Sequence, residues 1–320
     1  MKCLVTGAAG FIGSHLCEQL LFAGHEVTGL DNFMPYYPRS AKESNISDFA
    51  RHPKFHFAAV DLRTDPLDSI LEEVDVIFHL AAMPGLVQSW TNFDAYLTCN
   101  VQATQRLLEA VQRQGKRLQR FVLASTSSVY GRFASGDESL PTRPVSPYGV
   151  TKLAAEHLCR SFMDAADLPL VVLRYFSVYG PRQRPDMAYA KFLRALQYGE
   201  TITVYGDGDQ VRGNTYVADC VAATISAVRC HVGETYNVGG GETATVWDIL
   251  RRMERITGRK GRIHQEPARA GDQRHTFADC TKLHHHVGWA PQTTLDEGLA
   301  QQWEWSRRRH GFLLGVREVA

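Results

Sequence analysis

The stretch Thr6-Gly7-Ala8-Ala9-Gly10-Phe11-Ile12-Gly13 decides the fold. It follows a short apolar run, Lys2–Thr6, which predicts a buried β-strand, and it opens an apolar segment, Phe11–Ala23, which predicts a helix. The glycines have the spacing G-x-x-G-x-x-G, which permits a tight turn between the two elements. A helix N-terminus offers unpaired N–H groups and the positive end of the helix dipole, so this turn is typical of a site for a pyrophosphate.

Beyond this turn, short apolar runs alternate with longer helical patterns. The predicted strands are Lys2–Thr6, Glu26–Leu30, Phe55–Val60, Val74–His79, Arg120–Ala124, Leu170–Tyr175 and, later, Thr235–Val238. The predicted helices are Phe11–Ala23, Phe93–Gln114, Pro147–Asp167, Val217–Arg229, Thr245–Thr257 and Leu295–Arg308. This alternation predicts an α/β fold, a Rossmann-type doubly wound parallel sheet with helices on both faces.

After Tyr175 the alternation loosens, and prolines and a Gly-Asp-Gly-Asp run predict loops. We expect a dinucleotide-binding domain over residues 1–175, to which a segment near 214–242 returns. A smaller C-terminal α/β region, residues 176–320, should bind the substrate. Because no repeat or flexible linker separates the two parts, we expect them to pack directly and to leave a cleft between them.

Charge and cysteine content limit the partners and the location. The 320 residues carry 35 basic and 34 acidic side chains, and a formal charge of +1 predicts neither a nucleic-acid nor a membrane partner. No run of about eighteen apolar residues predicts a membrane span. Seven scattered cysteines and an N-terminus too short for a signal-peptide core predict reduced thiols in a cytoplasm. Three consecutive histidines, 284–286, point in different directions on a helix, so no metal site is predicted.

An acidic residue indicates which dinucleotide the glycine turn binds. The second predicted strand ends at Asp31, eighteen residues after Gly13. A carboxylate there can accept hydrogen bonds from both adenosine ribose hydroxyls, and it would repel a 2′-phosphate. The alternative is that Asp31 caps the loop after a strand. The position favours NAD over NADP as the cofactor.

A second group of residues indicates redox chemistry at an alcohol. Ser125-Thr126-Ser127-Ser128 follows the fifth predicted strand, and Tyr148 and Lys152 lie one turn apart at the start of a helix. A free tyrosine has a pKa of about 10, but a nearby ammonium and an oxidised nicotinamide favour the phenolate. Tyr148 could then take a hydroxyl proton while Thr126 orients the same hydroxyl. A Y-x-x-x-K spacing alone is common on helix surfaces, whereas its order after the serine cluster and the glycine turn is specific.

With these motifs in place, the chain resembles the extended short-chain dehydrogenase/reductases of the nucleotide-sugar epimerase and dehydratase group, and among them most closely the UDP-glucuronate 4-epimerases. The resemblance runs along nearly the whole chain. Its motifs are TGAAGFIGSHL at 6–16, HLAA at 79–82, STSSVYG at 125–131, SPYGVTK at 146–152, LRYFSVYGPRQRPDMA at 173–188, VYGDGDQVRGNTYVAD at 204–219 and NVGGG at 237–241.

The resemblance implies roles for particular positions. It implies a catalytic set of Thr126, Tyr148 and Lys152, and an NAD site formed by Gly7, Gly10, Phe11, Ile12, Gly13, Asp31, Asn32, Asp61, Leu62, Leu80, Ala81, Ala82, Asn100, Tyr148, Lys152 and Tyr175. For the nucleoside diphosphate it implies Lys191, Val204, Arg212 and Arg274. It also implies a homodimer formed by the helices at Phe93–Gln114 and Pro147–Asp167.

The residues after the threonine separate the reactions of this group. Related 4,6-dehydratases carry Asp-Glu there and related decarboxylases usually a glutamate, whereas this chain has Ser127-Ser128. Neither serine titrates usefully, so the expected activity is that of an isomerase that epimerises C4 of a UDP-sugar through a transient 4-keto intermediate. A decarboxylase, a dehydrogenase that releases NADH and a non-catalytic NAD-binding regulator of the same fold are the alternatives.

The sugar is predicted to be glucuronate, which would become galacturonate. Thr126, Ser127, Ser128 and Ser177 could surround a C6 carboxylate with hydroxyl donors, unless the serines bond only to the backbone at the strand end. Two departures from related acid-sugar epimerases bear on this prediction, since Val87 stands where an arginine is common and Ser177 where many relatives have asparagine. UDP-glucose and N-acetylated UDP-sugars are the alternative substrates.

Overall fold

A sheet of seven parallel strands forms the centre of the protein. The structure, a computed structural model, describes residues 1–115, 118–268 and 273–313, so the end of the predicted second region, residues 314–320, lies outside it. In spatial order the strands are β12 (Thr235–Val238), β7 (Leu170–Tyr175), β5 (Arg120–Thr126), β4 (Val76–His79), β1 (Lys2–Thr6), β2 (Glu26–Leu30) and β3 (Phe55–Ala58). Every neighbouring pair is parallel. The predicted Rossmann-type fold is confirmed.

Helices cover both faces of this sheet and surround the smaller sheets. They are α1 (Phe11–Phe22), α2 (Arg39–Ile46), α3 (Asp68–Leu71), α4 (Phe93–Tyr96), α5 (Ala103–Gln114), α6 (Pro147–Ala166), α7 (Ala188–Tyr198), α8 (Val217–Ser226), α9 (Val246–Thr257), α10 (Thr281–Val287) and α11 (Leu295–Leu313). Successive strand residues point to opposite faces. Leu4 and Ile77 therefore enter one hydrophobic core, whereas Val5 and Phe78 enter the other. Burial on both faces explains why these strands read as continuous apolar runs.

The predicted single helix Phe93–Gln114 is wrong in its middle. Helix α4 ends at Tyr96, a π-helical turn spans Leu97–Gln102, and α5 begins at Ala103. Within that turn the Asn100 side chain accepts a hydrogen bond from the Met83 backbone N–H (2.6 Å) and donates to the Thr151 hydroxyl (3.0 Å). The π-helical turn positions Asn100 for these tertiary contacts. The spacing of the apolar residues on either side does not indicate such a turn.

The two predicted regions exchange strands. Strand β12 and helix α8 return to the seven-stranded part, as expected for the segment near 214–242. In the opposite direction, β6 (Phe133–Gly136) leaves the first region and pairs with β15 (His275–Ala278) in a four-stranded sheet. The other strands are β10 (Val211–Gly213) and β13 (Thr243–Thr245) of that sheet, and the pairs β8 (Val178–Tyr179) with β11 (Thr215–Tyr216) and β9 (Thr201–Tyr205) with β14 (Arg262–Glu266). The domain boundary at residue 175 stays a prediction.

A buried ion pair joins α6 to the central sheet. The Glu156 carboxylate, 1% exposed, receives hydrogen bonds from Arg174 Nε (3.0 Å) and Nη2 (2.7 Å) on β7. It also accepts a hydrogen bond from the Ser125 hydroxyl on β5. The Arg174 guanidinium lies 4.7 Å from the centre of the Tyr130 ring. These contacts set the position of α6 relative to the ends of β5 and β7.

We predict that Glu156→Ala lowers the free energy of unfolding by about 3–5 kcal/mol, because it leaves the buried Arg174 without a counter-charge. Urea denaturation followed by circular dichroism would measure this. The matched control is Glu304→Ala, which removes exposed ion pairs with Arg307 and Arg308 and should cost below about 1 kcal/mol. Equal losses in the two variants would contradict the prediction.

Candidate functional site

A cleft lies at the carboxyl ends of the central strands, where open α/β sheets bind their ligands. Its wall contains every predicted cofactor residue except Asn100. From the glycine turn and the ends of β2 and β3 come Gly7, Gly10, Phe11, Ile12, Gly13, Asp31, Asn32, Asp61 and Leu62. From the end of β4, from α6 and from β7 come Leu80, Ala81, Ala82, Tyr148, Lys152 and Tyr175.

The glycine turn has the shape that a diphosphate requires. Gly7 adopts a φ of +72°, and a Cβ at that position would lie 3.0 Å from the Ala81 backbone nitrogen. A Cβ at Gly13 would overlap the Gly7 carbonyl oxygen, so α1 can start this close to the strand only with glycine there. Gly10 precedes the first helical residue and brings no capping side chain. The N–H groups of the first turn of α1 are thus left for an anion, and the turn fits a dinucleotide.

The part of the cleft beside Asp31, where the adenosine ribose of NAD is expected, contains a cation that the sequence analysis missed. Asp31 Oδ1 accepts a hydrogen bond from the Phe33 backbone N–H (2.8 Å) and lies 3.3 Å from Lys42 Nζ. Both side chains are buried, and both line the cleft. Lys42 comes from α2, and nothing in the spacing of its neighbours indicates that its ammonium turns inward. Its charge offsets part of the repulsion that Asp31 alone would exert on an anion.

Two further groups complete the adenosine end. Asp61 forms an ion pair with Arg63 (2.7 Å between Oδ2 and Nη2), and hydrogen bonds from Arg63 hold the pKa of the carboxyl well below its usual range. The Thr6 hydroxyl accepts hydrogen bonds from the Leu80 and Ala81 backbone N–H groups (3.1 and 3.0 Å), which holds that segment against the glycine turn.

Asn100 lies behind this wall rather than in it. Its amide is buried and donates hydrogen bonds to the Met83 carbonyl and the Thr151 hydroxyl. Asn100 is not one of the described residues that line the cleft. Since Met83 follows the Leu80–Ala82 segment and Thr151 lies between Tyr148 and Lys152, the side chain holds two parts of the wall together. A direct contact between Asn100 and a cofactor remains a prediction.

The local sequence places Tyr148 and Lys152 in the N-terminal turns of α6. The Ser146 hydroxyl caps the helix by accepting the Gly149 N–H (3.1 Å), and Pro147 occupies the first turn, where its missing N–H costs nothing. One turn apart, Tyr148 and Lys152 both face the cleft. The Thr126 hydroxyl at the end of β5 lies close enough to the phenol to lower its pKa. The structure therefore brings the predicted catalytic set together.

The structure adds a charge to the expected electrostatics of this set. Burial raises the pKa of Tyr148, while the Thr126 hydroxyl and the Arg184 guanidinium act in the opposite direction. Arg184, which the sequence analysis missed, is thus a cation whose field favours the phenolate. Burial also lowers the pKa of Lys152 to about 8, against the field of the Glu156 carboxylate. An effect of Lys152 on the pKa of Tyr148 stays a prediction.

Arg184 is held in place by a cluster of polar and aromatic groups. Its Nε and Nη2 each lie 3.0 Å from the Asp186 carboxylate, and its guanidinium lies 5.6 Å from the centre of the Tyr36 ring. The Tyr36 hydroxyl donates to the same carboxylate (3.3 Å). Arg184 belongs to the RQRPDMA segment, but a loop motif does not show where a long side chain points.

The serines are buried at the carboxyl end of β5. Thr126, Ser127 and Ser128 are each less than a tenth exposed, and the Thr126 hydroxyl accepts the Ser128 backbone N–H (3.2 Å). Ser127 Oγ donates to the Gln273 side-chain carbonyl oxygen (3.4 Å). Ser177 follows β7 and uses its backbone carbonyl to accept the Thr215 N–H (3.1 Å). A contact between these four hydroxyls and a substrate carboxylate stays a prediction.

The residues predicted to bind a diphosphate are brought together in part. Arg212 on β10 and Arg274 lie on neighbouring segments, since the Val211 N–H donates to the Arg274 carbonyl (3.2 Å). The Arg274 guanidinium forms a two-bonded ion pair with Asp207 (2.9 and 2.7 Å). Lys191 is exposed on α7. Val204 is buried in the core, so its side chain cannot reach a ligand in this arrangement.

The lowered pKa of Lys152 gives a prediction for stability against pH. The group has a pKa of about 8 in the folded protein and about 10.4 when unfolded, so folding disfavours its charged form. This penalty, about 3 kcal/mol, is complete below pH 8 and disappears as the pH rises towards 10.4. Between these values the unfolded chain binds more protons, and stability rises with pH.

Compared with Lys152→Met, nucleotide-free wild-type protein should therefore gain stability across that pH window. Urea denaturation at intervals from pH 7 to 10.5 would measure the free energy of unfolding of both proteins. The difference between them contains no contribution from the titratable groups that the two proteins share. A difference independent of pH would show that Lys152 is not desolvated.

Known proteins resemble this chain along nearly its whole length. A family model described as the NAD dependent epimerase/dehydratase family matches residues 3–239. An uncharacterized UDP-glucose epimerase, YtcB, of Bacillus subtilis (strain 168) is 45% identical over 307 residues, covering 94% of this chain and 96% of the relative. A UDP-glucuronate 4-epimerase of Thermodesulfobacterium geofontis (strain OPF15) is 34% identical, with 98% of each chain covered.

A solved structure shows the same likeness in three dimensions. The crystal structure of UDP-glucuronic acid 4-epimerase from Bacillus cereus, in complex with UDP-glucuronic acid and NAD, is 40% identical in sequence. The likeness covers 96% of this chain and 99% of that one, with a TM-score of 0.93. Across the part of the chain that the structure describes, no helix is both long and apolar enough to cross a membrane.

Proposed function

The chain belongs to the NAD dependent epimerase/dehydratase family, and we propose that it interconverts UDP-glucuronate and UDP-galacturonate by NAD-dependent epimerisation at C4. The arrangement of Thr126, Tyr148 and Lys152 at the end of the dinucleotide cleft carries the proposal. The names of the Bacillus cereus and Thermodesulfobacterium relatives support the substrate. The enzyme is an isomerase, since substrate and product have the same composition.

NAD held in this cleft would supply an oxidised nicotinamide, the group that can take a hydride from C4 and give it back to the opposite face of the sugar. Tyr148, as the phenolate, takes the proton of the C4 hydroxyl, and the same phenol gives a proton back to the C4 oxygen when the ketone is reduced. Thr126 orients the hydroxyl. No proton or electron is gained or lost over one cycle.

The basicity of Tyr148 depends on the charges around it. Burial alone raises its pKa and would keep the phenol protonated at neutral pH. The Arg184 guanidinium and the Thr126 hydroxyl oppose this. An oxidised nicotinamide ring, when bound in the cleft, would add a further positive charge. We assign Lys152 the role of holding the cofactor ribose and of adding to this field as its ammonium.

The hydroxyls after β5 distinguish the reaction from those of related enzymes. Ser127 and Ser128 stand where a dehydratase needs an acid and a base, and neither can carry a proton to or from C5 and C6 at neutral pH. Oxidised at C4, a uronate is a β-keto acid that loses carbon dioxide fastest when its carboxylate is perpendicular to the ketone. We propose that Thr126, Ser127, Ser128 and Ser177 hold the carboxylate in another orientation.

At the other end of the substrate we assign the diphosphate to Arg212, Arg274 and Lys191. Arginine suits a diphosphate because its planar fork gives two charge-assisted hydrogen bonds. Arg274 would exchange its ion pair with Asp207 for this contact, and an exposed ion pair costs little to break. Val204 could contribute only through its backbone.

A second candidate is epimerisation of a neutral sugar, UDP-glucose or UDP-N-acetylglucosamine. Val87 favours it, because this exposed apolar residue (52%) stands where related acid-sugar epimerases carry an arginine. The name of the Bacillus subtilis relative agrees with it. Glucuronate fits the site better, because the hydroxyls of Thr126, Ser127, Ser128 and Ser177 suit a carboxylate.

We predict that Tyr148→Phe lowers kcat by a factor of about 10² to 10⁴, because the variant lacks the proton acceptor, while NAD stays bound. Proton NMR of C4 stereochemistry would follow the reaction with UDP-glucuronate, UDP-glucose and UDP-N-acetylglucosamine. Tyr198→Phe, at the far end of α7, is the matched control and should react as the wild type does. Steady growth of reduced-nicotinamide absorbance in the wild type would instead indicate a dehydrogenase.

We further propose that the protein forms a homodimer through the helical face defined by Trp90, Phe93, Leu97 and Val150. All four apolar side chains are exposed, and the elements that carry them pack on one another. Burial of such a group is worth about 25 cal/mol for each Å² of apolar surface. Exposed apolar side chains grouped on neighbouring elements are typical of an interface.

Phe93→Glu should convert the dimer to a monomer, because the introduced carboxylate would be desolvated without a partner. Sedimentation velocity at micromolar concentration measures the change. Phe22→Glu is the matched control, since Phe22 is 89% exposed on α1 and lies outside this face. A wild-type protein that sediments as a monomer would refute the proposed dimer.

A further inference from the structure

Gln273 is buried against the turn that carries the catalytic hydroxyls. This side chain is 9% exposed and precedes β15. Its Nε2 donates to the Gly131 carbonyl (2.7 Å) and to the Ser127 carbonyl (3.2 Å). Its Oε1 accepts from Ser127 Oγ (3.4 Å). One amide therefore joins both ends of the segment Ser127–Gly131 and touches the hydroxyl of its first residue.

The direction of this amide follows from the groups around it. Both backbone carbonyls are acceptors, so the NH2 group of Gln273 must face them, because a reversed amide would set oxygen against oxygen. Oε1 is then left for the Ser127 hydroxyl. Gln273 fixes the backbone of Ser127 and, at the same time, the direction in which the Ser127 hydroxyl donates.

The opposite side of the segment packs against the catalytic helix. A Cβ at Gly149, the residue after Tyr148, would lie 2.8 Å from the Ser128 carbonyl oxygen, so the two backbones are in close contact. Gly131 adopts a φ of +93°, and a Cβ there would overlap the Arg143 carbonyl oxygen. The segment is thus held between the start of α6 and the Gln273 amide.

Gln273 also stands next to the residue assigned to the diphosphate. The Arg274 backbone N–H donates to the Arg132 carbonyl (3.2 Å), and its guanidinium reaches Asp207. Two consecutive residues therefore connect the reacting end of the proposed substrate site to its nucleotide end. A shift of this short segment would move both.

We propose that Gln273 is a positioning residue for the reaction. By holding the Ser127–Gly131 segment, it keeps the Ser127 hydroxyl at the position where this hydroxyl can donate to the sugar carboxylate. Gln273 thereby protects the keto acid from decarboxylation. The inference rests on the proposed function. The contact between Ser127 Oγ and Gln273 is long, and a carboxylate makes shorter, charge-assisted hydrogen bonds. The hydroxyl can therefore pass from Gln273 to the substrate without movement of the backbone.

The side reaction supplies the readout. In the 4-keto sugar the bond between C5 and C6 breaks, carbon dioxide leaves, and the electron pair stays on C5 as an enolate conjugated with the C4 ketone. Protonation of C5 by water gives the UDP-4-keto-pentose. The C4 ketone of this product can still be reduced to give a UDP-pentose, or the ketone can be released first and so leave one reduced cofactor behind. Carbon dioxide forms in both cases, and its amount therefore measures the decarboxylation.

The test compares Gln273→Leu with the wild-type holoenzyme on UDP-glucuronate. Leucine has a similar size but offers none of the three hydrogen bonds. We expect kcat/KM to fall about tenfold and the ratio of carbon dioxide to epimer to rise about tenfold, as the loss of one hydrogen bond to a charged group implies. Gln292→Leu, an exposed glutamine whose amide bonds only locally in the structure, is the matched control.

Gln273→Glu tests whether Gln273 positions the Ser127 hydroxyl or only stabilises the fold. It also provides a test if the Gln273→Leu variant fails to fold. Its neutral acid can donate to one carbonyl and accept from Ser127, whereas its anion would face two carbonyl oxygens. The ratio of carbon dioxide to epimer should therefore be near that of the wild type at low pH and should rise as this carboxyl ionises. The wild-type ratio should show no such step.

The outcomes distinguish the two proposals. Folded Gln273→Leu and Gln273→Glu variants with wild-type kcat/KM and product ratio would overturn the role of Gln273 alone, since the wild type would still epimerise UDP-glucuronate. A wild type that leaves UDP-glucuronate unchanged would overturn the proposed function and this inference together.

Discussion

The buried contact between Glu156, Arg174 and Ser125 determines where the chemistry of this protein can occur. Glu156 lies on the same helix as Tyr148 and Lys152, two turns and one turn further along. By binding Arg174 on β7 and Ser125 on β5, it holds that helix against the carboxyl ends of both strands. A buried ion pair contributes little net stability, but its loss leaves an uncompensated charge, so it constrains the geometry strongly.

The same desolvation that makes this pair costly governs the catalytic groups. Burial raises the pKa of Tyr148 and lowers that of Lys152, and each shift disfavours the charged form that the proposed reaction needs. The protein offsets the first with Arg184 and Thr126 and the second with the carboxylate of Glu156. NAD, when bound, would add the positive charge of its oxidised nicotinamide ring. The site therefore combines desolvated titratable groups with charges that are fixed before the substrate arrives, which is the arrangement that favours transfer of a proton at an alcohol.

Local patterns were sufficient for the large elements. The strands and the paired residues Tyr148 and Lys152 are set by short-range rules, because side-chain alternation and helical spacing depend only on neighbours in the chain. Lys42 and Arg184 escaped prediction because a long flexible side chain can point to solvent or into a cleft with the same local sequence. The π turn around Asn100 escaped it because its hydrogen bonds reach Met83 and Thr151, which are distant along the chain.

The amino-acid sequence by itself determined the glycine turn, the seven strands of the central sheet, and the chemical groups available to the reaction, because these follow from residue type and spacing. Only the tertiary structure decided which cation lies near the phenol, that Val204 is enclosed in the core, and that Gln273 holds Ser127. Those outcomes depend on close packing between segments far apart in the chain, where distances of a few tenths of an ångström decide which hydrogen bonds form, and no local pattern contains that information.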